Sequence, residues 1–187
     1  NLLMAGFIKP HHPFDPPEAW CRAYDPSKLS LLPGWTPQCA PHDLALNAGY
    51  FPHTSLNETA LRRVMAYYYA SIEQIDRQVG RMVAWLKEKG LYNNTMSVYT
   101  SDHGEYLGYH HLLLKGGYLY EPLARVPLVI KYPGSNTKGN VSDALTSNID
   151  LAPTILRQTG CMPPPCMRGI DLAAPGAGHE FIFAESG

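Results

Sequence analysis

Nothing in the 187-residue chain comes near the roughly 18 to 20 consecutive apolar residues that a membrane-spanning helix requires. The N-terminal run Leu2 to Ile8 is too short, and no basic region precedes it. Charge of one sign is missing too: 15 Lys and Arg face 16 Asp and Glu, for a net charge of -1 with His neutral. That balance supplies no basic field of the kind that gathers nucleic acid, which is excluded as the expected partner. Internal repeats and low-complexity runs are absent, and 45% hydrophobic with 17% charged residues is the composition of a chain that buries a core rather than a disordered one.

Cysteine is scarce, and no Cys-x-x-Cys occurs. The four cysteines fall as two local pairs, Cys21 with Cys39 and Cys161 with Cys166, and no nearby His completes a zinc site. Two structural disulfides are the expectation, with free core thiols as the other possibility. Three Asn-x-Ser/Thr triplets, at Asn57, Asn93 and Asn140, are candidate glycosylation sites. With the paired cysteines they point to an oxidising setting: the secretory pathway, outside the cell or in the lysosome, or the periplasm of a bacterium. The chain begins without Met, inside an apolar run, and reads as a fragment of a longer protein.

Leu2 to Ile8 reads as a buried strand delivering the proline-rich loop Lys9-Pro10-His11-His12-Pro13-Phe14, where fixed φ angles hold the two His in place. Residues 18 to 56, rich in Pro and poor in periodic apolar positions, form a long irregular excursion of the kind that is functional or pinned, here by Cys21 and Cys39. Leu61, Val64, Tyr68, Ile72, Ile75, Val79, Met82 and Leu86 recur at helical spacing between a possible cap at Asn57 and a stop at Gly90. Strands are expected at 96–100, 127–132 and 181–185, and a short helix at 150–159 with Pro153 in its first turn. Helix followed by strand is half of a parallel crossover, and open α/β sheets bind ligands at strand C-terminal ends.

Ser101-Asp102-His103-Gly104-Glu105 sits at such an end, with His110, His111 and Lys115 following closely. Asp102 offers a carboxylate and His103 an imidazole to a hard divalent cation, although Asp-His-Gly also makes a good solvated turn. Lys115 alone reads as a surface charge; beside a cation it would neutralise charge building on sulfuryl or phosphoryl oxygens. His11 and His12 suit anion binding or proton transfer to a leaving group, or are simply exposed loop residues. Tyr67, Tyr68 and Tyr69 read as helix-packing surface, and Arg125 as a structural ion-pair partner.

The order of these motifs resembles the sulfatases of the alkaline phosphatase superfamily. It runs from Lys9-Pro10-His11-x-Pro13-Phe14 through Tyr68-Tyr69-Ala70-Ser71-Ile72 and Asp76-x-Gln78-Val79-Gly80-Arg81 to Ser101-Asp102-His103-Gly104-Glu105-x-Leu107-Gly108. It continues with Lys115, Tyr120-Glu121, Arg125-Val126-Pro127-Leu128, Tyr132-Pro133-Gly134 and Asp150-Leu151-Ala152-Pro153-Thr154. The resemblance implies an alkaline phosphatase-like α/β fold, a mostly parallel sheet flanked by helices and incomplete at the N-terminus, with residues 1–187 the C-terminal portion of one catalytic domain. It also implies sulfate ester hydrolysis, with Asp102 and His103 as metal ligands, His11 at the ester or leaving group, Lys115 on the transferring oxygens, and His110 as a weaker substrate-binding candidate. His103 stands where many arylsulfatases have Asn and where phosphonate monoester hydrolase relatives often have His. Calcium is the first choice of metal, with manganese or another divalent ion open.

Two departures matter. The family's formylglycine arises within Cys/Ser-x-Pro/Ala-x-Arg, and no such motif occurs in this chain, nor does the early Asp-Asp ligand pair. Both are expected upstream, outside these residues. The implied substrate is a small-molecule or carbohydrate sulfate ester. A phosphonate monoester or phosphodiester hydrolase, or a non-catalytic homologue, is the alternative.

Overall fold

Two short helices, α1 (Glu18–Cys21) and α2 (Pro41–Asn47), precede a long one, α3 (Glu58–Glu88), in the computed structural model. It describes residues 1–47, 51–135 and 139–185, with backbone alone at 46 and 47. The Asn57 side chain caps α3 by accepting from the Ala60 amide at 3.0 Å, and Gly90, at a φ of +68°, allows the left-handed turn that ends it. The buried face is not quite the expected one. Leu61 and Ile75 are buried, but so are Ala66, Ala70 and Ser71, while Ile72 and Met82 lie exposed. Small side chains let other segments approach the helix closely, so the buried stripe follows them rather than the largest apolar residues.

The described residues divide into two compact units. The first comprises Asn1–Tyr92 and His103–Val126. Its core gathers Leu61 and Met65 of α3 with Phe51, Tyr106, Leu107, Leu112, Leu113, Leu114 and Leu123, the last on a four-residue helix, α4 (Glu121–Ala124). The excursion expected at 18 to 56, whose residues 48–50 lie outside the described residues, carries α1 and α2 and is tied to α3. Arg62 Nε donates to the Leu29 carbonyl at 3.1 Å, Arg77 lies over the Trp20 ring at 5.8 Å, and Tyr24 meets Tyr69 edge-on. No disulfide does this tying. All four cysteines are free thiols: Cys21 donates to the Pro16 carbonyl, Cys39 packs against the core, and Cys161 and Cys166 are exposed. The expected pairings are therefore not formed in this structure, and packing onto α3 takes their place.

The second unit comprises Asn93–Asp102 and Pro127–Glu185. Its strands β1 (Ser97–Thr100) and β2 (Leu128–Lys131) pair antiparallel, with Ser97 opposite Lys131 and Thr100 opposite Leu128. The segment 103–126 leaves the end of β1 and returns into β2 running the other way, so this one pair is antiparallel within a fold expected to be mostly parallel. Two further expected strands are absent among the described residues. Leu2 to Ile8 joins no ladder, with Leu3 89% exposed, and neither does Phe181 to Glu185, the isolated bridge of Leu145 with His179 lying just before it. An apolar run signals burial, but a strand also needs a neighbour for its amides. No helix among the described residues is long and apolar enough to cross a membrane.

A single carboxylate organises the rest of this unit. Helix α5 (Leu151–Gln158) follows the capping box of Ser147 and Asp150. Asp150, fully buried, accepts from the Ser147 amide at 2.8 Å, the Ile170 amide at 2.9 Å and His179 Nε2 at 2.9 Å. Thr154 completes the junction, donating to the Asp150 carbonyl and accepting from the Leu172 amide. Gly169 passes so close to the Ile149 carbonyl that a Cβ there would collide with it. Asp150→Ala strands three donors and is expected to cost on the order of 3 kcal/mol in urea denaturation. A midpoint unchanged from wild type would contradict this account.

Candidate functional site

The first unit brings together two of the residues singled out in the sequence. His11 Nε2 lies 2.5 Å from Lys115 Nζ, across 104 positions of sequence. On its other side the His11 ring places Nδ1 2.7 Å from the His12 carbonyl. A carbonyl only accepts, so Nδ1 carries the proton and Nε2 offers its lone pair to the Lys115 ammonium. The loop around His11 is held by Lys9, which donates to the Pro13 carbonyl at 2.7 Å and pairs with Asp15. His12 stacks on His11 at 4.1 Å between ring centres. Desolvation first, then His11 and Lys115, holds its imidazole below the usual His range.

Lys115 ends a loop of unusual backbone. Leu107, His110, His111 and Leu114 all have positive φ, between +44° and +67°, a region that costs an L-residue roughly 1–2 kcal/mol each. Burial holds them there: Leu112 is fully buried and Leu107, Leu113 and Leu114 nearly so. Glu105 supplies the second constraint. Its Oε1 accepts from the Leu107 amide at 3.3 Å and from the Leu114 amide, bridging the loop from end to end. Burial pushes this carboxyl up to about 8 despite the opposing pull of the two amides and of Lys115. Gly104 accommodates the approach of the Pro122 carbonyl, which a Cβ would obstruct, and its amide donates to the Leu123 carbonyl at 2.8 Å.

His110 is engaged elsewhere. Its Nδ1 lies 3.4 Å from Oδ2 of fully buried Asp43, its ring stacks on Tyr109 at 4.3 Å, and Tyr120 lies at 4.7 Å. The Tyr120 hydroxyl donates to Asp43 Oδ1 at 2.7 Å, and this bond, with desolvation second, raises the phenol well above its ordinary range. His42 Nε2 is also 3.4 Å from Oδ1. Asp43 and Tyr120 were not among the candidates from sequence; a Pro-started helical turn carrying an acid is too common a pattern to stand out.

Asp102 and His103 are consecutive, Asp102 ending the β1 segment of the second unit and His103 opening the loop in the first. Ser101 Oγ donates to the exposed Asp102 carboxylate at 3.4 Å. His103 Nδ1 donates to the Gly104 carbonyl at 2.8 Å, which fixes the lone pair on Nε2, the arrangement a metal-binding His commonly has. A carboxylate and an imidazole are each donors of the kind a divalent cation takes, and no group of three or more His, Cys, Asp or Glu among the described residues is gathered to hold a metal. Asn57, Asn93 and Asn140, the three triplet positions, are all exposed.

Residues 1–161 match the Sulfatase family. An arylsulfatase of Clostridium perfringens is 34% identical over 176 residues, 91% of this chain and 36% of the relative. An N-acetylglucosamine-6-O-sulfatase of Bacteroides thetaiotaomicron is 37% identical over 111 residues, 59% of this chain and 20% of the relative. Among solved structures, the phosphonate monoester hydrolase of Silicibacter pomeroyi superposes with a TM-score of 0.76 at 31% identity, covering 89% of this chain and 35% of that one. The fold is thus the α/β fold of alkaline phosphatase superfamily hydrolases, present in part, and the chain spans about a third of the length of the arylsulfatase it matches.

The bridging role of Glu105 has a direct check. Glu105→Ala removes the acceptor of two amides and is expected to destabilise by about 2 kcal/mol or more, while Glu105→Gln keeps an oxygen there and is expected to cost under about 1 kcal/mol. Equal denaturation midpoints for the two variants would count against the bridge.

Proposed function

This chain belongs to the sulfatase family, and on that premise we propose that the complete protein hydrolyses a sulfuric ester, with residues 1–187 a portion of its catalytic domain. The observation that carries the reading is the contact of His11 with Lys115, two motif residues far apart in sequence and adjacent in the fold. Lys115 carries the positive charge that a sulfuryl group's oxygens call for as they gain charge. His11, with its lone pair toward Lys115, becomes an acid by taking a proton from solvent on Nε2, while Lys115 keeps its own proton and its charge. The protonated ring then donates to the departing alkoxide.

Asp102 and His103 are the proposed protein ligands for a divalent cation, calcium by preference and manganese or another divalent ion next. The chemistry a cation held there would supply is polarisation of the ester and stabilisation of the anionic oxygens. The nucleophile, a formylglycine, is assigned to sequence outside this chain. His110 is a weaker proposal for substrate contact, since its described partners are Asp43, Tyr109 and Tyr120. The similarity to an N-acetylglucosamine-6-O-sulfatase favours a sulfated sugar among possible substrates. A secretory, lysosomal or periplasmic location, with glycans at Asn57, Asn93 and Asn140 in a eukaryote, is in keeping with those exposed triplets.

Likeness to a phosphonate monoester hydrolase supports a second reading, in which the same charged groups act on a phosphonate monoester or phosphodiester. Assays of the complete protein on an aryl sulfate and an aryl phosphodiester divide the two: the expected outcome is faster turnover of the sulfate, and a strong preference for the diester would reverse the order. Asp102→Ala is expected to abolish metal-dependent turnover with the fold retained; full activity would remove Asp102 from the ligand set. Lys115→Ala is expected to lower kcat on the order of a hundredfold, with a smaller change in KM. Loss confined to KM would mean that Lys115 binds the ground state only.

A further inference from the structure

His111 is almost fully buried, 3% exposed, and both of its ring nitrogens face backbone carbonyls. Nδ1 lies 2.9 Å from the Thr36 oxygen and Nε2 2.9 Å from the His53 oxygen. Carbonyl oxygens only accept, and a neutral imidazole has one donor nitrogen, so only a doubly protonated ring makes both bonds. The face of the ring is covered as a cation's would be: the Trp35 indole stacks on it at 4.9 Å, within the range of a cation–π contact. None of the contacts described for His111 is with a carboxylate. The titratable groups on the segments around it include His53, whose own carbonyl accepts, Tyr109, His110 and Lys115 on its loop, Glu105 bonded to the amides of Leu107 and Leu114, and Asp43 against His110.

We infer that His111 is a buried imidazolium that clamps the Trp35–Thr36 and Phe51–Ser55 segments to the loop ending in Lys115, and that it is thereby a positioning residue for Lys115. The first half rests on hydrogen-bond geometry alone; the second rests on the role proposed above for Lys115. The backbone strengthens both. His111 sits at a φ of +66°, and its amide closes a turn onto the Gly108 carbonyl at 3.0 Å, so the ring's two bonds lie where the chain is most costly to hold. Loss of one ring proton would set a lone pair against a carbonyl lone pair in a buried site, releasing one of the two segments.

Nitrogen-15 spectra of the complete protein, with His ring nitrogens labelled and His111 identified by the signal missing in His111→Gln, test the cation directly. At neutral pH both nitrogens of His111 are expected to carry protons that exchange slowly with solvent. One protonated and one unprotonated nitrogen would overturn the inference, whether or not the protein hydrolyses any ester. For positioning, His111→Phe keeps a ring against Trp35 and removes both donors. The expected result is a kcat lower by on the order of tenfold to a hundredfold with KM little changed, and an altered His11 ring spectrum as Lys115 moves from Nε2. An unaltered His11 spectrum together with unaltered kcat would overturn the positioning role. Absence of sulfatase activity in the wild type would instead count against the proposed function and leave the His111 spectrum to decide the cation. If His111→Phe does not fold, the His111→Gln variant carries the same kinetic and His11 comparisons.

Discussion

The loop from Leu107 to Leu114 is held in a backbone conformation that L-residues avoid, and the placement of Lys115 depends on that constraint. Four residues at positive φ cost several kcal/mol together by the usual figure of roughly 1–2 kcal/mol each. The compensation is visible in the same segment. Leu107, Leu112, Leu113 and Leu114 enter the core beside Leu61 and Met65, and burying a leucine side chain contributes about 1.5–3 kcal/mol. The apolar residues that look like ordinary core thus keep a polar residue in place.

Buried acceptors do comparable work elsewhere. Glu105 joins the two ends of the loop, Asp43 receives the Tyr120 hydroxyl with His42 and His110 beside it, and Asp150 collects donors from three stretches of the second unit. At Glu105 and Asp150 a carboxyl removed from water is matched by donors that would themselves be costly to leave unpaired, and at Asp43 the Tyr120 hydroxyl does this for one oxygen. Such junctions suit segments with little regular structure, where ladder hydrogen bonds are not available to fix one stretch against another.

How much of this was legible in the sequence follows from the range of the interactions involved. The helix from Glu58, the strands at 97–100 and 128–131 and the helix at 151–158 were readable because periodicity, caps and stops are local signals. The runs at 2–8 and 181–185 misled because apolar content reports burial and says nothing about whether a pairing neighbour exists. His11 and Lys115 were legible through the order of family motifs, although their contact spans most of the chain. Asp43 and the two carbonyl contacts of the His111 ring were not, since their partners lie 58 to 77 positions away and carry no pattern that links them beforehand.

The distal half of α3 has one more consequence. From Asp76 to Glu88 the helix has no buried side chain, although it continues for more than three turns past its last core residue, Ile75. Apart from Arg77, which lies over the Trp20 ring, side chains there add little to the core of the first unit. The same stretch is the natural point of attachment for a fluorophore or an affinity tether, since a label there rides on a regular helix whose other end is anchored by Leu61 and Met65 in the core.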